Sequence, residues 1–239
     1  MKKTIQALLL LFFILPLCQG AVGQSRSADP YTYRKGDPNG VGKWYMGREI
    51  AYVMGYHAMD WLERPERDQE ENTTLLLQNM NIQPGDTIAD IGAGSGYHVF
   101  KMAPMAAEGL VYAVDIQEEM LRAIGQKKAQ TGQNNVIGIK GSNQAVNLPE
   151  NSVDKVLLVD VYHEFEYPAE MMASIKKALS PGGKLFLIEY RAEDATIPIK
   201  RVHRMSRRQA VKEMKAAGLT LYQNIQNLPW QHCLVFVKE

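Results

Sequence analysis

The stretch Thr87-Ile-Ala-Asp90-Ile-Gly92-Ala-Gly94-Ser-Gly96-Tyr97 decides the fold. It opens as a β-branched and apolar run, the composition of a strand buried on both faces. It then breaks into three glycines spaced two apart. A residue without Cβ lets the backbone turn sharply and lets a ligand approach closely. The following residues, Tyr97 to Ala107, are rich in Met, Ala and Phe and are expected to form a helix. Strand, glycine turn and helix together form a geometry that points free backbone N–H groups at a ligand. The third glycine arrives one residue too early for a dinucleotide G-x-G-x-x-G turn. Asp90 at the strand end would repel a pyrophosphate. It would welcome a ligand carrying positive charge, such as an amino group or a sulfonium.

Working outward, Leu110 to Val114 is expected as the next strand and ends in Asp115. An acid about 20 residues past the glycine turn is placed to hold a ribose diol. Ile116 can pack on an adenine face, and Glu118 to Gln130 reads as a helix. Val136 to Lys140 is a third strand, followed by the loop Gly141 to Gln144. Lys155 to Val159 is a fourth, ending in Asp160-Val-Tyr-His163-Glu-Phe165. Ligands of open α/β sheets sit at the carboxyl ends of the strands, so this last segment is the place to look for chemistry.

The D-x-G-x-G-x-G pattern with Asp115 resembles motif I of the class I S-adenosylmethionine (SAM) methyltransferases. Leu179-Ser-Pro-Gly-Gly-Lys184 is similar to the "LxPGG" turn of that class, and Asp160 to Phe165 followed by Pro168 resembles its type 11, UbiE-like branch. The resemblance covers about Asn72 to Glu239. It implies an α/β, Rossmann-like, seven-stranded sheet, mostly parallel with a C-terminal antiparallel hairpin and with helices on both faces. It implies SAM as cofactor, held by Asp90, Gly92, Gly94, Gly96, Tyr97, Asp115, Ile116, Asn143 and Asp160. Many relatives carry an acid where this chain has Asn143 and Gln144, whose side-chain carbonyl can accept the same adenine hydrogen bond. Methyl transfer from a sulfonium is an in-line displacement and needs a base only when the nucleophile must lose a proton. His163, just past the fourth strand, and His203, between Arg201 and Arg204, are the catalytic candidates, with His98 behind them. A non-catalytic nucleoside-binding module and an NAD-linked oxidoreductase are the alternative readings. The early third glycine and Asp90 count against the second.

Composition sets the remaining bounds. The chain has 239 residues, 46% hydrophobic and 22% charged, with a net charge of +1, so nothing in it suggests a nucleic-acid partner. Lys2 and Lys3 precede an apolar run and then small residues, the pattern of a secretory signal peptide over residues 1–23. Export to the periplasm or medium is therefore expected, with membrane attachment only if that segment stays uncleaved. Residues 24–71 read as a linker and lid. Within them Trp44 to Arg67 is expected to be helical, with Tyr45, Arg48, His57 or Trp61 as candidates to reach a pocket. Residues 72–239 read as the methyltransferase domain. Cys233 is the sole cysteine left after cleavage, and no His, Cys, Asp or Glu group has metal-ligand spacing, so a metal-independent reaction on a small molecule is expected.

Overall fold

The computed structural model describes residues 29–238. The segment read as a signal peptide lies outside the described residues. Strands β1 (Tyr31–Tyr33), β2 (Gly40–Tyr45) and β3 (Arg48–Ala51) make a small antiparallel sheet. The central sheet contains β4 (Thr87–Ile91), β5 (Leu110–Asp115), β6 (Val136–Lys140), β7 (Val153–Val159), β8 (Leu179–Tyr190), β9 (Leu219–Ile225) and β10 (Gln231–Lys238). Its seven strands run in the order β6-β5-β4-β7-β8-β10-β9. Strands β4 to β8 pair in parallel, and β10 is antiparallel to both β8 and β9. This is the Rossmann-like sheet with a closing hairpin that the sequence implied.

Alternation along the strands explains why both faces are covered. Val156 and Leu158 of β7, with Leu185 and Leu187 of β8, enter one core against Met172 and Ile175 of α6 (Pro168–Ala178) and Met214 of α7 (Arg207–Ala216). Leu157, Phe186 and Ile188 point the other way. There they meet Leu76 and Met80 of α3 (Thr73–Met80), Val99 and Met102 of α4 (Val99–Met102), and Ile124 of α5 (Glu118–Thr131). Cys233 belongs to this second core as a buried apolar side chain, and burial pushes its thiol up to about 12. Ser206 caps α7 by accepting from the Gln209 N–H, but Gln209 turns its own amide to Glu213 and the Met46 carbonyl.

Two expected elements differ. Residues 44–67 do not form a helix. Met46 and Gly47 both have positive φ, 51° and 98°, and close a two-residue hairpin between Tyr45 and Arg48. A turn of that kind matches the strand twist, and it overrides the helical spacing of Ile50, Val53 and Met54. Only short helical pieces follow, a 3-10 turn at Tyr56–Ala58, α1 (Met59–Leu62) and α2 (Arg67–Glu71). Part of the presumed linker is likewise strand. After the glycine turn the helix is the four residues of α4 rather than the whole of 97–107. Pro104 has no N–H to continue the ladder, and the Phe100 carbonyl instead accepts from Gln133.

The small sheet is anchored by charge as well as by its Tyr31, Tyr45 and Ile50 cluster. Arg48 forms a two-pronged pair with Glu213, at 2.9 and 3.0 Å, and both side chains are almost wholly buried. The Tyr162 hydroxyl donates to the same carboxylate at 2.8 Å, and Arg48 Nη1 donates to the His163 carbonyl at 3.0 Å. A buried pair broken on one side leaves an uncompensated charge. Glu213→Ala should therefore lower stability by about 3–5 kcal/mol, and Arg48→Met with Glu213→Leu should lower it less than the single change does. The urea midpoint at unchanged slope measures both.

Candidate active site

A cavity of about 490 Å³ opens along the carboxyl ends of β4 to β8. Its first wall is the glycine turn. Gly92 and Gly94 line it, both with positive φ, and a Cβ on either would strike a neighbour: Val161 Cγ2 at 2.4 Å, Leu62 Cδ1 at 2.6 Å. Four of the turn's N–H groups are already engaged within the protein. Those of Gly92 and Ala93 donate to the Val114 carbonyl, that of Gly96 to the Ala93 carbonyl, and that of Gly94 to Asp115 Oδ2 at 2.9 Å. Asp115 Oδ1 accepts from the Gln117 N–H at 2.8 Å. The carboxylate is thus fixed by both oxygens, each keeping a further lone pair. Burial raises the Asp115 pKa, and these backbone donors oppose the rise.

The remaining sequence candidates divide by position. Ile116, Asn143, Asp160, His163 and His203 all line the cavity. Asn143 donates to Glu166 at 3.4 Å, which leaves its carbonyl oxygen as an acceptor. Asp90, Gly96 and Tyr97 do not line it. Gly96 is needed for packing, since a Cβ there would meet Phe100 at 2.8 Å. Tyr97 lies under the Arg67 guanidinium, 4.3 Å from its ring centroid. His98 is buried away from the cavity, and burial takes its pKa well below the usual range. Of the lid candidates only Trp61 reaches the cavity, joined by Val53, Met54, Leu62 and Arg67. Tyr45 is core, Arg48 is committed to Glu213, and His57 stacks on Tyr56.

The far end is built around His163. Its Nδ1 lies 2.6 Å from Glu189 Oε2, and its Nε2 lies 3.1 Å from His203 Nδ1. Burial pulls the His163 pKa down, but the Glu189 and Glu164 carboxylates outweigh it and the net direction is up. Glu164 Oε1 stands 3.8 Å from His163 Nε2 and 3.6 Å from His203 Nδ1. Residues separated by 40 positions thus form a His–Glu–His group that no spacing in the chain announces. Between the two ends sits Asp160, with φ 49°, a strained value for a side chain other than glycine. It accepts from the Tyr190 N–H at 3.1 Å and from the Gln231 amide. Burial and the nearby Glu71 and Glu189 charges hold its pKa well above the usual carboxylate range. Sequence reasoning missed Glu71, Glu189 and Arg67. Glu189 carried a signal: like Asp90 and Asp115, it is an acid at the end of an apolar strand.

The family model described as "Methyltransferase domain" matches residues 89–187. The uncharacterized methyltransferase YdaC of Bacillus subtilis is 30% identical over 151 residues, covering 62% of this chain and 81% of that protein. The chain is a class I methyltransferase. The ubiquinone/menaquinone biosynthesis C-methyltransferase UbiE of Blochmanniella floridana is 28% identical over 48% of this methyltransferase and 46% of its own length. A SAM-dependent methyltransferase from Aquifex aeolicus shares the fold, with a TM-score of 0.73 at 22% identity over 77% of this chain and 98% of that one.

The residues present fit such a cofactor. Gly92 and Gly94 let the backbone itself line the cavity where a Cβ would collide with Val161 or Leu62, Asp115 lines the cavity beside them, and Asp90 Oδ2 is buried without a hydrogen-bond partner. Burial, reinforced by Asp115 and opposed by Arg67, raises the Asp90 pKa from 3.8 to about 7. Between those two values the folded chain holds a proton that the unfolded chain has lost. The associated stability is complete below the lower value and is lost as pH rises through the upper one. Asp90→Asn should accordingly make the ligand-free methyltransferase more stable at pH 8, by about 1–3 kcal/mol, and change it little near pH 4. Urea unfolding at the two pH values measures this.

Proposed function

We propose that this methyltransferase uses SAM to methylate a small-molecule acceptor by in-line displacement. One observation carries the reading: the fixed Asp115 carboxylate and the His163–Glu164–His203 group line opposite parts of one continuous cavity. In this reading Asp115 holds the ribose diol. Ile116 packs on the adenine, and Asn143 accepts from its amino group. Arg67, a cation at the wall with Nε on Glu71 and Nη1 on the Leu62 carbonyl, faces the carboxylate of the methionine part. Asp90 and Asp160 stand near the sulfonium, whose positive charge favours their ionisation, Asp90 from behind the wall. Bound SAM brings an already activated methyl group, so the protein's work is alignment and exclusion of water.

Val53 and Trp61 are apolar, exposed and part of the cavity lining, which suits an acceptor with an apolar body. His163 and His203 then meet its nucleophilic atom. The signal-peptide pattern adds the proposal that the enzyme works outside the cytoplasm, which the N-terminal sequence of the mature chain would test. For the activity, Asp115→Ala should weaken SAM about 100-fold by calorimetry, the loss of two hydrogen bonds to a charged group. His163→Ala should keep SAM affinity within a few-fold and lower turnover about 10²–10³-fold on whichever compound of a metabolite panel the parent methylates. SAM binding without methyl release on any acceptor would favour the non-catalytic module instead.

A further inference from the structure

We propose that His163, Glu164 and His203 bind a divalent first-row transition-metal ion at the acceptor end of the cavity. The three facing donor atoms are 3.1, 3.6 and 3.8 Å apart. An ion at about 2.0–2.2 Å from nitrogen and carboxylate ligands sets neighbouring donors roughly 3–3.5 Å apart, so the triangle needs only small adjustments.

Each ligand is held from outside. Glu189 is buried and takes the Nδ1 side of His163 at 2.6 Å, while its other oxygen accepts the His163 backbone N–H at 3.3 Å. That leaves the Nε2 lone pair of a neutral His163 facing inward, the carboxylate–histidine arrangement that orients metal ligands. Glu164 Oε2 accepts the Met54 N–H at 3.2 Å, so Oε1 is the oxygen turned to the two histidines. His203 ends the turn Arg201–His203, whose last N–H donates to the Lys200 carbonyl at 2.9 Å. With no proton on either facing nitrogen, the three converging lone pairs in this largely buried place repel one another unless something positive lies among them. A shared proton can serve one edge of the triangle, His203 to His163. A metal ion serves all three.

The donor set is two imidazoles and one carboxylate, which suits zinc, iron, manganese or cobalt rather than magnesium or calcium. All three residues line the cavity, so the remaining coordination positions open toward the acceptor, as in catalytic rather than structural sites. Only the ion's role rests on the methyl-transfer reading. A hydroxyl of the acceptor bound there would lose its proton to water more readily. The oxygen would then form its bond to the methyl carbon as the carbon–sulfur pair leaves with sulfur, giving the methyl ether and S-adenosylhomocysteine. This departs from the metal-free reaction expected from spacing alone.

The test uses the full chain stripped with chelator and titrated with Co²⁺ and Zn²⁺. One equivalent of Co²⁺ should bind with visible d–d absorption, and Zn²⁺ should displace it. His203→Ala and Glu164→Gln should weaken binding at least 100-fold, and Glu189→Gln about 10–100-fold. Circular dichroism accompanies each variant. His203 lies on a partly exposed turn, so His203→Gln gives a second measure should any other variant fail to fold. No uptake by the parent, or uptake that none of these changes weakens, overturns the site and leaves the histidine pair sharing a proton. SAM calorimetry on the stripped parent keeps the two readings apart. A protein that binds SAM but no metal sinks this inference alone, and one that binds metal but no SAM sinks the proposed cofactor alone.

Discussion

The structure depends on holding several carboxylates at one edge of an apolar sheet. Asp115 ends β5, Asp90 and Glu189 stand one residue before the ends of β4 and β8, Asp160 directly follows β7, and all but Asp160 are buried by exposure. Like charges gathered in a poorly hydrated place disfavour ionisation. Burial raises the pKa values of Asp90, Asp115 and Asp160, and neighbouring carboxylates add to the rise at Asp90 and Asp160. Glu71 and Glu213 are compensated differently, by arginine. Arg64 and Arg67 meet Glu71 at 2.8 and 2.7 Å, and Arg48 meets Glu213. All three arginines precede the central sheet in the chain.

That origin changes what the N-terminal part is for. A hairpin and two short helices are a modest apolar addition. Their contribution is three guanidiniums placed where the strand ends need positive charge. Arg67 is the sharpest case: it neutralises Glu71, lies over Tyr97, lowers the Asp90 pKa and still forms part of the cavity wall. A cationic ligand entering beside Asp90 and Asp160 would relieve part of the remaining repulsion. Ligand affinity and the cost of gathering these acids are therefore two readings of one charge distribution.

The central sheet was legible because its signals are local. Short, mostly apolar stretches mark β4, β5 and β7, and glycine or an acid marks where each ends. Asp115 was legible for the same reason, since its distance from the glycine turn is a chain distance. The hairpin at Met46-Gly47 was not, because apolar residues on either side of a tight turn can imitate helical spacing. Nor was the turn's use of its own N–H groups, which depends on Val114 and Asp115 arriving from the next strand. The His163–Glu164–His203 group and its support by Glu189 were invisible for a deeper reason. They join the end of β7, the end of β8 and a loop beyond it, and only the parallel pairing of β7 with β8 brings these together.

The extent of the family match carries the same division. Residues 89–187 contain the glycine turn, Asp115, Asn143, Asp160, His163 and Glu164. Arg48, Arg67, Glu189 and His203 fall outside it. The matched segment therefore supplies the glycine turn and Asp115 side of the cavity and two of the three members of the His–Glu–His group. The flanks supply the third, the carboxylate that orients His163, and the arginines that balance the acids. Membership in the family speaks for the donor half of the reaction. In the proposed reaction the flanks bear on the choice of acceptor, because Val53, Trp61 and His203 line the cavity and Glu189 holds His163.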